Sequence, residues 1–424
     1  MIATKANAKL YQGRIPAASS RNDSALILLA LFWPVAGAIA AFFMLHHRVA
    51  RFVLGAVMAL IGYRLSLVDQ RLDAYRLGEY VKELAELNVR EFSLWVNQYC
   101  FINEQCIDPI QPFYTFLLTR LSGEPSVAFA GYALLFAILS ISTLTALHRD
   151  KVPGSNLFVY VFLFAVMAAN PIHHIGGFRF NTASWAFLLG SYLVFYRGRD
   201  IGFAFIFLAA TFHYAMTVLL VLTIVFRVVR LPLRLAIILA LVSYAVSGVT
   251  PLVAPLLSNL DYQIGALSRG ARYVSEGALE ARSEALQQAT SSNLFFFFFA
   301  KTGIKIALGG WVVYLMIFRK RLHNIGLREA RFLSFSITLF AFANAFSEIP
   351  SFGRYSSIAI QLLFMGFIVC AAMYSRREKK LLLVLFVPAV LFSMLITLRT
   401  GLGIVDMFSM MPSPFLIFSR EPLL

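Results

Sequence analysis

The sequence predicts an all-α, polytopic membrane protein with about twelve transmembrane helices, and three observations carry that expectation. Of 424 residues, 59% are hydrophobic and 14% charged, with a mean hydropathy of +0.75, outside the range of soluble globular chains. Apolar runs of spanning length recur along the chain, where ~20 residues suffice to cross a bilayer. Basic clusters alternate with those runs: 37 Lys plus Arg stand against 21 Asp plus Glu, a formal net charge of +16. Cationic loops favour the cytoplasmic side, so most of the excess reads as orientation, and the remainder is available to an anionic lipid or a phosphate. No soluble domain, nucleotide-binding loop, Cys/His metal spacing or cleavable signal peptide stands out. Residues 1–424 are therefore expected to form a single integral membrane domain in the lipid bilayer, with no cofactor, no metal and no nucleic-acid partner.

Ordinary crossings are expected over Ser24–Leu45, Val49–Val68, Pro125–Leu147, Asn156–Asn170, Arg179–Tyr196, Arg234–Leu257, Leu294–Phe318, Arg331–Ser347, Phe352–Tyr374 and Leu381–Leu398. Ile201–Phe226 is different, because Arg197 and Arg199 precede it and Arg227, Arg230 and Arg234 follow. One crossing there would put the two basic flanks on opposite sides and send Arg319–Arg331 or Ser375–Lys380 outside, against the charge rule. Two short helices, roughly Tyr196–Phe212 and His213–Arg230, that both start inside and turn near His213 satisfy it. Each is shorter than the ~20 residues a bilayer requires, so the membrane thins there or a water-filled cavity enters from outside, with His213 at its floor.

Outside loops then run over Asp69–Glu124, Pro171–Phe178, Ser258–Asn293, Glu348–Ser351 and the tail after Arg399. Even parity also puts residues 1–23 outside, although Lys5, Lys9, Arg14 and Arg21 oppose one Asp23 there. In the first loop, "DAYRLGEYVKELAELNVREF" alternates charge with apolar residues at helical spacing and is expected to lie along the interface. "DPIQPFYTFLLTRLSGEP" reads as a short re-entrant or interfacial helix, and the two together could roof an external cavity. Cys100 and Cys106 in this loop could close a small disulfide if that side is oxidising. The loop Ser258–Asn293 is polar and nearly balanced in charge, with "ALEARSEALQQA" as its helical part.

Three residues are candidates for chemistry. Arg179, in "HHIGGFRFN", and Arg354, in "NAFSEIPSFGRYSSIAI", each stand at the outer start of a span. Snorkelling to headgroups is the bland explanation for both. Two rim arginines, with Arg269 and Arg272 on the intervening loop, could instead converge on one dianion, since the guanidinium fork binds phosphate oxygens in a bidentate way and stays ionised. His213 in "ATFHYAM" is the third. A lone histidine is commonly a satisfied core residue, but ionisable groups inside a membrane tend to line functional cavities. Beside arginines the ring would stay neutral and could accept a proton; Asp69, Asp73 and Glu348 are alternative bases.

These fragments resemble the EpsG-like and Wzy-type polysaccharide polymerases, which extend O-antigen or exopolysaccharide chains at the inner membrane. The resembling features are Arg64 followed by "LDAY" at Asp73 and Tyr75, "DPIQPFYTFLL", "FRFNTASWAF", "LAATFHYAM" as short helix, His, short helix, and "GRYSSIA" with Arg354 and Tyr355. They recur in family order across most of the chain. Arg179 and Gly190 also meet an Arg, ten residues, Gly spacing, whereas neither Arg269 nor Arg272 has Gly at that distance. The resemblance implies metal-independent glycosyl transfer from a polyprenyl-pyrophosphate-linked oligosaccharide, in the bacterial inner membrane with the site facing the periplasm. Arg179, Arg354 and Arg272 would then stabilise the departing pyrophosphate, His213 would take the acceptor proton, and Arg64, Asp73, Tyr75, Arg269, Glu348 and Tyr355 would bind substrate. A chain-length regulator protein is a further partner left open by the resemblance. The alternatives are an O-antigen ligase and a flippase or transporter of the same lipid-linked sugar. A transporter needs polar groups through the membrane depth, whereas Arg179, Arg354, Asp73 and Glu348 all fall outside or at the outer rim.

Overall fold

A computed structural model of the protein describes residues 19–65, 73–102, 108–151, 157–172, 177–261, 303–317, 325–347 and 353–405. Among these the regular structure is entirely helical, with one isolated antiparallel bridge between Leu65 and Val405. They pack as two compact units, one ending at Val57 and the other running from Met58 to Asp406.

The smaller unit corrects the first expected crossing. Ser24–Leu45 does not run straight: α1 (Ser19–Phe32) and α2 (Pro34–Phe43) are separated at Trp33, whose backbone leaves the helical region because Pro34 opens the next helix. The two helices fold back on each other. A Cβ on Gly37 would lie 2.5 Å from the Cα of Ala30, so only glycine admits this approach. At the open end, Nδ1 of His47 comes within 3.9 Å of Asp23 Oδ1. Chain entry and chain exit therefore share one end of the hairpin.

α3 (Arg48–Tyr63) follows, and then α4 (Asp73–Glu86) and α5 (Val89–Val96), which fall where interfacial helices were expected. α5 is started by a capping box: Asn88 Oδ1 accepts from the N–H groups of Arg90 (2.9 Å) and Glu91 (3.0 Å), while Glu91 accepts from Asn88 N–H at 2.8 Å. A π-helical turn, Asn97–Ile102, closes α5, and α6 (Ile110–Thr119) is the short helix following Pro109.

The bundle proper consists of α7 (Pro125–Lys151), α8 (Leu157–Ala168), α9 (Phe178–Ser191, continued by a π turn Tyr192–Tyr196), α10 (Ile201–Phe212), α11 (Met216–Val229), α12 (Leu233–Asp261), α13 (Gly303–Ile317), α14 (Leu327–Ala345), α15 (Gly353–Val369) and α16 (Arg376–Ile404). Among the described residues Pro125–Asp150 and Arg376–Ile396 are long and apolar enough to cross a membrane unaided, and the other apolar stretches, Leu233–Ser247 of α12 among them, run to 10–17 residues. Val228, Val384 and Leu157 are at least 70% exposed, an arrangement suited to lipid rather than to water.

Each of the two expected short helices is present, with the break at His213, whose extended backbone (φ −152°, ψ 119°) ends α10. The first begins only at Ile201, because the π turn carries α9 on to Tyr196 and Gly198 turns the chain at φ +65°. α9 and α10 touch through glycines: a Cβ on Gly190 would sit 2.6 Å from the carbonyl oxygen of Gly202, the small-residue contact through which membrane helices approach closely. The end of the bundle away from His213 is tied by Asp150, which accepts two 2.7 Å hydrogen bonds from Arg197 and one from the Tyr192 hydroxyl. Arg227 and Asp200 pair at this same end at 3.5 Å.

Candidate functional site

At the opposite end, the starts of α9 and α15, the break at His213 and the α4 to α6 segment enclose a cavity of about 580 Å³. Arg179 is the second residue of α9. Its neighbour Phe178 is buried, stacked on Tyr132 at 4.3 Å and set edge-on to Phe212 at 5.8 Å, which fixes the helix start and turns the next side chain outward. Arg179 Nη1 donates to Asp108 Oδ2 at 2.8 Å, with the arginine side chain 47% exposed and the aspartate 3%. The other oxygen of Asp108 accepts the Tyr214 N–H at 2.9 Å. One buried carboxylate thus fastens the rim arginine to the break between α10 and α11.

The break is held from a second side by Tyr355, whose hydroxyl donates to the Ala215 carbonyl at 2.8 Å. His213 is buried, with its ring edge-on to Phe180 at 5.4 Å and stacked on Tyr214 at 5.2 Å. Its Nδ1 accepts the Ala215 N–H at 3.2 Å. Arg354, at the start of α15, lies 5.7 Å from the centre of the Phe180 ring, so that ring contacts both the arginine and the histidine. Burial pushes the Asp108 carboxyl above the usual carboxylate range, and the Tyr214 N–H and Arg179 offset part of that shift.

Of the residues singled out in the sequence, Arg179, Arg354, His213 and Asp73 line this one cavity, and Tyr355 braces the turn behind it. Arg64 and Tyr75 are described and are not part of its lining. Arg269, Arg272, Asp69 and Glu348 lie outside the described residues, as do the side chain of Cys100 and all of Cys106. Sequence reasoning missed Asp108, together with Arg76, Tyr80, Tyr99, Gln111 and Ser357. Asp108 precedes a proline and a helix, a context that reads as a turn; the one available signal was an acidic residue inside a fragment already quoted for its family resemblance. Among the described residues no group of three or more His, Cys, Asp or Glu side chains converges as a metal site would.

Comparison with curated proteins and with solved structures returns no match for the chain. Residues 88–412 match the EpsG family, a stretch that begins at the α5 cap and includes Asp108, Arg179, His213 and Arg354. EpsG-like proteins are polymerase-type membrane proteins. With most of its length matched, and with those four cavity residues inside the match, the chain belongs to the EpsG family.

Proposed function

We propose that the protein is a polysaccharide polymerase that joins polyprenyl-pyrophosphate-linked oligosaccharide repeats at the outer face of a bacterial inner membrane. The observation that carries this reading is the shared cavity of Arg179, Arg354 and His213 in a member of a polymerase-type family. Orientation follows from charge. Arg197, Arg199, Arg227 and Arg230 gather at the end away from the cavity, and the preference for cationic loops inside makes that end cytoplasmic. The cavity then faces the periplasm.

In this reading the two guanidinium groups hold the donor's pyrophosphate. An acceptor hydroxyl oxygen attacks the anomeric carbon, the bond from that carbon to the pyrophosphate oxygen breaks, and the pyrophosphate leaves with the electron pair. Its growing charge is what the arginines stabilise. Asp108 keeps Arg179 extended into the cavity, so little reorganisation is needed when the donor arrives.

The geometry favours a different role for His213 from the base expected of it. An N–H donor at Nδ1 requires a lone pair there, which in the neutral ring leaves the proton on Nε2. The histidine is thus a hydrogen-bond donor towards an oxygen of the substrate. The acceptor's proton goes to a carboxylate, and Asp73 lines the same cavity with its side chain 74% exposed, whereas both oxygens of Asp108 are engaged.

The test is the glycan ladder of cells lacking the gene and carrying Arg179→Lys or Arg354→Lys. Lysine keeps the charge and loses the fork. Single repeats on the lipid acceptor, with the variant still inserted, support the polymerase. Undecorated acceptor with long free chains would identify a ligase, and loss of all repeats a flippase. Full ladders from both variants would end the proposal.

A further inference from the structure

We propose that the wall built by α4 and the π turn after α5 is the subsite for the acceptor glycan, with Tyr80 and Tyr99 as its ring platforms. This rests on the polymerase reading and names the part of the cavity that meets sugar rather than pyrophosphate.

Four rings form a continuous stack through the α4 to α6 segment. Phe116 lies parallel to Phe92 at 3.9 Å, Phe92 to Trp95 at 6.2 Å, and Trp95 to Tyr99 at 4.6 Å, with Tyr80 against Trp95 at 5.9 Å. The inner end is ordinary packing: Phe92, Leu84 and Val96 are buried as the core of this segment. What sets Tyr80 and Tyr99 apart from Phe116, which is also only partly buried, is that both tyrosines line the cavity.

Tyr99 stands in a π-helical turn, a rare winding that is frequent at functional positions. Around the two tyrosines the lining adds Asp73, Arg76 and Gln111. An apolar ring face ringed by a carboxylate, a guanidinium and an amide matches a pyranose, which offers a face of C–H groups and a rim of hydroxyls. A pyrophosphate has no such face, and its partners are Arg179 and Arg354. Asp73, proposed above as the proton acceptor, belongs to the sugar wall, so an acceptor docked there brings its hydroxyl to the carboxylate.

The stack supplies its own reporter. Trp95 touches Tyr99, Trp185 and Trp311 are fully buried, and Trp33, exposed between α1 and α2, emits a background that Trp95→Phe leaves in place. The full-length protein in detergent is titrated with oligosaccharides released by mild acid from the producing cells' own surface polysaccharide, and separately with inorganic pyrophosphate, following tryptophan emission and binding by calorimetry. The oligosaccharides are expected to change the emission of Trp95, and the change should vanish in Trp95→Phe. Tyr99→Ala and Tyr80→Ala each weaken oligosaccharide binding roughly 3- to 10-fold, Tyr99→Phe keeps it, and pyrophosphate binding is unaltered in all three. Wild-type oligosaccharide affinity in both alanine variants overturns the subsite, as does equal loss of pyrophosphate affinity in them, which would mean collapse of the cavity. Oligosaccharide binding without any pyrophosphate binding leaves the subsite standing and removes the polymerase reading instead.

Discussion

At the scale of single residues, the proposed site depends on which atoms are already occupied. His213 offers Nε2–H because Nδ1 is taken, so glutamine, whose amide N–H reaches a similar point and which cannot act as a base, separates the two roles. His213→Gln is expected to keep polymerisation within about 10-fold of wild type, while His213→Ala loses about 100-fold or more, the usual cost of removing a donor to developing negative charge. Equal loss in both would return the histidine to the role of base. Asp108 gives a second prediction. Its folded-state pKa is raised by burial, so the ionised group costs stability at neutral pH, and that cost disappears as pH falls through the raised value. Protonation also removes the charge that holds Arg179, and activity should therefore decline on the acid side at a pH above the ~3.9 of an ordinary aspartate. Asp108→Asn should lower activity, lose this acid limb and retain its thermal midpoint at pH 7; an unchanged limb in turnover measurements against pH would refute the assignment. Arg179, His213 and Arg354 were legible in the sequence because an ionisable group within an apolar run is conspicuous. Asp108, Tyr80 and Tyr99 were not, since acids and aromatics are unremarkable in a polar loop and acquire meaning only from what folds against them.

Among the elements, the break at His213 was readable because charge parity demanded a turn, and the fold of α1 on α2 was not, because the apolar run through Trp33 and Pro34 has the length of one span. The hairpin changes the topology. Asp23 and His47 meet, so the chain enters α1 at the end of the hairpin from which it leaves for Arg48 and α3; if that end lies inside, the side the charge rule prefers for Lys5, Lys9, Arg14 and Arg21, the segment before α1 would be cytoplasmic. In that reading Ser24–Leu45 would be a hairpin and not a crossing, one fewer than the sequence suggests. A cysteine at Ala8, outside the described residues, should resist an impermeant maleimide in intact cells and react after permeabilisation; labelling from outside would contradict the hairpin reading. The contact of α9 with α10 gives the matching prediction for stability. In Gly190→Ala the new Cβ meets a backbone oxygen, which cannot rotate away, so a loss of about 1–3 kcal/mol is expected, read as a lower thermal midpoint in detergent. Because α9 carries Arg179 and α10 leads to His213, polymerisation should fall with it. The Arg, ten residues, Gly spacing thus has a physical sense here: the arginine needs the cavity, and the glycine brings the two helices together beneath it.

For the whole molecule, sidedness is the decisive property. Cysteines at Gly277 and Asn324, both outside the described residues, should be respectively open to and shielded from an impermeant label, and the reverse pattern would turn the cavity towards the cytoplasm. Helix lengths carry one more consequence. α7 has 27 residues, about 40 Å at 1.5 Å per residue, whereas α10 has 12 and α11 has 14, about 18 and 21 Å. With the cavity facing outward as proposed, two helices rising from the cytoplasmic side would end well short of the far surface of a ~30 Å hydrocarbon layer, and α11 shows Val221 and Val225 about half exposed on its flank. In that orientation the outer leaflet would meet a gap beside these two helices. A donor anchored by its isoprenoid tail could slide in through that gap with the tail still among the lipids and only the pyrophosphate entering among the arginines. The lengthened product could leave by the same sideways route, so that each round of growth is an exchange within the plane of the membrane.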